Sequence, residues 1–193
     1  PALDRILDFA AEAGLVVILH CDIDMPFAKQ DTEPVYLTQM KALLKRHPKA
    51  TIIWAHTGLG RIVHPPNSQA SGGGYESNPN HRALLAAMLE DPALSHVYFD
   101  ISWDEVAKYA VSSPEIEKAT AELFARYPAR FLFGTDNVAP KDQAAQLRVF
   151  HLWDRIFGAL TPEASFAIRR GNYLRLFDAA RERVRAWERE HTR

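Results

Sequence analysis

Four short apolar runs punctuate the chain, and each gives way to polar residues: LVVILHCD (15–22), TIIWAHTG (51–58), HVYFDIS (96–102) and RFLFGTD (130–136). A continuous apolar run of this length, in place of alternation, predicts a strand buried on both faces, as in a parallel sheet flanked by helices. The segments between the runs carry helical spacing. Leu3, Ile6, Leu7 and Ala10 mark an amphipathic helix that Gly14 stops. Leu37, Met40 and Leu44 follow a cap at Asp31 or Thr32 and end at His47-Pro48; Leu84, Leu85, Met88 and Leu89 end at Asp91-Pro92. Ser113-Pro114 opens a helix with Ile116, Leu123 and Phe124, with proline at its first position. From Lys141 the chain reads as helical, with restarts at Thr161-Pro162 and Gly171-Asn172, and Phe177, Ala180, Val184 and Trp187 form a stripe on the last helix.

Helix followed by strand–helix units implies a parallel α/β sheet with right-handed crossovers. Two architectures satisfy the pattern: an open sheet, or part of a (β/α)8 barrel, which normally takes about 250 residues. The 193 residues, 47% of them hydrophobic, suit one domain spanning 1–193 with one core. A formal net charge of -1 without long single-sign runs gives no reason to expect nucleic acid or an acidic membrane as partner, and favours a small-molecule substrate. The single cysteine, Cys21, excludes an internal disulfide and is compatible with a cytoplasmic location. No stretch approaches the length of a membrane span.

In both architectures ligands bind at the carboxyl ends of the strands. His20, His56 and Asp136 each stand where a strand passes into its loop. Neutral imidazole and carboxylate are donors suited to zinc, manganese or iron. Each residue taken alone has a structural explanation, a histidine bonded to a carbonyl or an aspartate fixing the Gly134–Asn137 turn. Equivalent positions in three of four units favour one shared site.

VILHCD, IIWAHTGLGR, VYFDIS, FLFGTD and the closing SFAIRRGNYLRLF together resemble the carboxyl-terminal portion of the amidohydrolase superfamily, in the amidohydrolase 2 branch of metal-dependent TIM-barrel hydrolases and decarboxylases. The resemblance implies a (β/α)8 TIM barrel of which this chain supplies about the second half, strands five to eight and their helices. It implies His20 and Asp136 as ligands of a divalent metal, zinc first with manganese or iron compatible. It further implies Asp136 as a proton carrier and His56 as the residue that polarises the attacking water or the substrate. The family's first strand ends in His-x-His, a pattern absent here, so that pair would lie upstream of Pro1.

The implied reaction is hydrolysis of a small carboxylated ester, lactone or amide, with nonhydrolytic decarboxylation on the same scaffold as the alternative. The reading from another class is a non-catalytic α/β binding or assembly domain, since a half barrel has two open sheet edges that invite pairing, with a second copy or with the missing half. Among secondary candidates, Arg61 is placed to bind a substrate carboxylate bidentately. The loop 58–80, with Gly72, Gly73 and Gly74, can form a lid, and Asp100 can orient a histidine. His47, His81, His96, His151 and His191 read as structural.

Overall fold

The computed structural model describes residues 2–23, 33–59 and 81–191. In chain order its elements are α1 (Ala2–Ala13), β1 (Val16–Leu19), α2 (Val35–Arg46), β2 (Thr51–Trp54), α3 (His81–Glu90), β3 (Val97–Asp100), α4 (Asp104–Ala110), α5 (Pro114–Arg126), β4 (Phe131–Leu132), α6 (Gln143–Leu152), α7 (Asp154–Gly158), α8 (Pro162–Phe166) and α9 (Asn172–His191). The strands form one parallel sheet in the order β1-β2-β3-β4. Sequential strand neighbours with a helix in each crossover fit the alternation and, of the two architectures it allows, the barrel order.

Strand alternation sorts the side chains onto two faces. Val17, Leu19, Ile52, Trp54, Val97, Phe99 and Phe131 face the helices and join the main core with Leu37, Leu44, Leu89, Phe124, Trp153 and Ile156. Phe131 sits 4.5 Å from Phe124 and 6.1 Å from Phe99, measured between ring centres. Burying one such ring contributes roughly 1.5–3 kcal/mol. The opposite face is smaller: Val16, Ile53, Tyr98 and Leu132 pack against Leu176 and Phe177 of α9.

Helix α9 thus straps this second face from Leu132 of β4 to Val16 of β1. It begins at β4, where Asn172, almost fully buried, donates through Nδ2 to the carbonyls of Pro128 (2.7 Å) and Phe131 (2.8 Å). It ends against α1, where Trp187 meets Phe9 edge-on and donates to Glu12 at 3.1 Å. Gly14 sits between them with φ +75, and a Cβ there would stand 2.4 Å from Arg183 Cβ. Only glycine suits both the left-handed turn and that approach. The amide of Leu15 closes the turn on the Ala10 carbonyl.

Four features depart from the sequence expectations. The run Leu15–Leu19 is not buried on both faces: Ile18 is 60% exposed, because β1 is an edge strand whose second face α9 covers only near Val16. Helix α2 starts at Val35 after Pro34, while Asp31 and Thr32 lie outside the described residues. The predicted restart at Gly171-Asn172 is a π-helical turn, Ala167–Gly171, that carries α8 into α9 without a break. Helix α4 is additional, seven residues long and without a side-chain cap. No described helix is long and apolar enough to cross a membrane.

Replacing Asn172 with alanine leaves two carbonyls without their shared donor. The expected loss is about 2–3 kcal/mol of folding stability, read as a lower denaturant midpoint with an unchanged slope. An unchanged midpoint would mean that α9 is not anchored at this residue.

Candidate active site

At the carboxyl end of β2 the backbone turns left-handed for three residues in succession, His56 (φ 55), Thr57 (φ 54) and Gly58 (φ 71). For a non-glycine residue such a conformation costs on the order of 1–3 kcal/mol and persists only where the surroundings impose it. They do so here through every carbonyl of the turn. The His56 carbonyl accepts from Thr57 Oγ1 (2.6 Å) and from the Leu59 amide (2.9 Å). The Thr57 carbonyl accepts from His81 Nε2 at 2.9 Å, and the Gly58 carbonyl from the Ile23 amide at 2.9 Å. Trp54 Nε1 donates to the Cys21 carbonyl at 2.9 Å, which ties the ends of β1 and β2 together.

This turn aims the His56 ring across the sheet end. Its Nε2 lies 3.6 Å from Asp136 Oδ2, beyond β4, and its Nδ1 lies 3.1 Å from Ser102 Oγ, beyond β3. The His20 ring, beyond β1, stands edge-on to it with 5.3 Å between centres. All three sequence-predicted residues, His20, His56 and Asp136, therefore meet at one end of the sheet, with His56 between the other two. Trp103 closes another side, 5.6 Å from His56 between ring centres. Of the five non-glycine residues with positive φ among the described residues, four are His56, Thr57, Trp103 and Asp136. This concentration of strained backbone singles out the strand ends as the candidate site.

Asp100, at the end of β3, reaches His56 rather than His20. Its Oδ1 accepts from the Ser102 amide at 2.9 Å; its Oδ2 accepts from the Ser102 hydroxyl and, at 3.4 Å, from the His56 amide. A Cβ on Gly134 would stand 3.1 Å from Ser102 Cβ and 3.4 Å from Asp100 Oδ1, so only glycine lets the end of β4 come this near. Asp22 stands 3.5 Å from His20 Nε2. Arg61 and the glycine triplet lie outside the described residues.

Ser102 escaped the sequence reading, whereas His81, read as structural, does hold a carbonyl. The Asp-x-Ser spacing of FDIS is the only trace of the first. The partner of His81 has no sequence mark, because it is a carbonyl 24 positions earlier. Burial pushes the His81 pKa down to about 4, against the opposing pull of its bond to Thr57.

The donor chemistry of His20 and Asp136 suits a divalent ion, whereas their number does not complete a centre: zinc in a catalytic site takes three protein ligands and a water. Among the described residues no group of three or more histidine, cysteine, aspartate or glutamate side chains is arranged to hold a metal.

Known proteins agree with this architecture. The family model described as amidohydrolase matches residues 1–179. An amidohydrolase from Burkholderia multivorans, solved with bound zinc, superposes with a TM-score of 0.59 at 19% identity, over 91% of this chain and 56% of that one. An amidohydrolase 2 from Bifidobacterium longum subsp. infantis gives 0.52 at 20% identity, over 93% and 56%. An uncharacterised TIM-barrel protein from Bordetella bronchiseptica gives 0.55 at 16% identity, over 92% and 50%. The chain thus spans about half the length of these structures, and its four-stranded parallel sheet corresponds to part of a TIM barrel. No curated protein matches the chain in sequence.

His81 gives this site a pH signature. Its folded pKa of about 4 lies below its ordinary value of 6.5, so the fold favours the neutral ring. That stability is present in full above about pH 6.5 and is lost as pH falls toward about 4. Denaturant unfolding between pH 7 and pH 4 should record the decline. His81→Gln keeps an amide donor that does not titrate and should flatten it; an equal decline in the variant would remove His81 as the source.

Proposed function

Because the chain belongs to the amidohydrolase family, we propose that His20, His56 and Asp136 form one side of a metal-dependent hydrolase site for a small carboxylated ester, lactone or amide. The observation that supports this most directly is the position of His56 Nε2, 3.6 Å from Asp136 Oδ2 with the His20 ring on its other flank. That separation exceeds a hydrogen bond and leaves room for a small polar group held against both.

In this reading His20 and Asp136 contribute two ligands to a divalent ion, zinc first and manganese or iron compatible. Such an ion supplies Lewis-acid polarisation of the scissile carbonyl and eases deprotonation of water. Asp136 holds the proton taken from the attacking water and returns it to the leaving group. His56 assists that transfer or stabilises the developing oxyanion through Nε2. Trp103 shields one side of the imidazole from solvent. Arg61, outside the described residues, is the proposed bidentate partner of the substrate carboxylate.

Two sets of variants in the full-length protein test the reading. His56→Ala should lower kcat by about 100-fold or more on a panel of carboxylated esters, lactones and amides, with metal content, measured by elemental analysis, unchanged. His20→Ala and Asp136→Asn should each lose bound metal as well as activity. Unchanged kcat in His56→Ala would overturn its proposed role, and parallel loss of metal in that variant would place it among the ligands. Release of carbon dioxide in place of a hydrolysis product would move the reaction to decarboxylation.

A further inference from the structure

The hydrogens around Ser102 are determined by counting donors. Asp100 is an acceptor at both oxygens, with Oδ1 taken by the Ser102 amide and Oδ2 by the Ser102 hydroxyl and the His56 amide. A serine hydroxyl has one proton and an ionised carboxylate has none. The Ser102 proton is therefore committed to Asp100, and only lone pairs remain on Oγ for His56 Nδ1, 3.1 Å away. The contact is a hydrogen bond only if Nδ1 carries the ring proton.

We infer that Ser102, oriented by Asp100, is a positioning residue that fixes His56 as the Nδ1–H tautomer and leaves Nε2 as a bare lone pair facing Asp136. Which ring nitrogen carries the proton follows from the bond the other makes. Ser102 is buried and its amide is also bound to Asp100, so the hydroxyl has little freedom to turn away. Gly134 keeps the end of β4 pressed against the pair. Nε2 and Asp136 Oδ2, at 3.6 Å, are then two acceptors converging on one point. A water or a substrate O–H or N–H placed there donates to both. This extends the hydrolase reading, and its consequence for rate rests on it: of the two roles open to His56, the tautomer selects proton acceptor over oxyanion donor.

The tautomer is readable without turnover. In the full-length protein labelled with 15N-histidine, long-range proton–nitrogen spectra at a pH where the ring is neutral should show His56 with Nδ1 protonated and Nε2 unprotonated, the signal being assigned by its loss in His56→Gln. Ser102→Ala should mix the two tautomers. Asp100→Asn should invert them, because the new amide donates to Ser102 Oγ and frees the hydroxyl proton for Nδ1. On the substrates above, Ser102→Ala should lower kcat by about 10- to 100-fold with KM little changed. An Nε2–H ring in the unmodified protein, or a pattern unmoved in both Ser102→Ala and Asp100→Asn, would overturn the inference. The spectra judge the tautomer alone, whereas His56→Ala kinetics judge the hydrolase reading, so either can fail without the other.

Discussion

One carboxylate holds the strand ends together. Asp100 is the last residue of β3, and its two oxygens take the Ser102 amide, the Ser102 hydroxyl and the His56 amide. Parallel register makes this reach available, since Trp54 pairs with Phe99 and Asp100 with Leu132, so that β2, β3 and β4 end at nearly the same level. A left-handed turn at His56 offers its amide to that carboxylate. The order of dependence runs from register to carboxylate, then to the turn, then to the direction of the imidazole.

Stability for the strained turn comes from the helix side of the sheet. His81, the first residue of α3, holds the Thr57 carbonyl and lies against Tyr109 of α4. Trp54 packs over Phe99 while its indole donates to Cys21. Burial disfavours charge on His81, which keeps a neutral ring donating through Nε2. Several core contacts thus hold one unfavourable backbone conformation, the arrangement by which a folded protein sustains local strain.

Features with a local cause were legible in the sequence. Ser113 accepts from the Ile116 amide and Pro114 opens α5, as the Ser-Pro step implies; Gly14 ends α1 because the chain needs φ above zero there. The parallel sheet followed from alternation, its sequential order from the family resemblance, and the placement of His20, His56 and Asp136 at strand ends from the apolar runs before them. Features with a tertiary cause were not legible. An apolar run reads alike whether both faces are covered or one is open, which hid the exposure of Ile18. The positive φ of His56, Thr57 and Trp103 has no sequence mark, because none of them is glycine. Asp100 stood out as a residue able to orient a histidine, but its route through Ser102 depends on which way a hydroxyl proton points.

The two faces of the sheet divide the labour. On the helix face Phe99, Phe131, Phe124 and Trp153 form a continuous aromatic layer that fixes β3 and β4. On the other face α9 covers Val16, Ile53, Tyr98 and Leu132 through Leu176 and Phe177, while Ile18 stays exposed and His20, His56 and Asp136 follow the strand ends. Strap and site meet at the end of β4, where Leu132 packs against α9 and pairs with Asp100. The anchor of α9 at Asn172 lies at the start of β4, while Asp136 follows its end. A change at the strap therefore acts on global stability, whereas a change at Ser102 or Asp100 acts on the imidazole. Parallel strands make the shared site possible, because they send every loop of one kind to the same end.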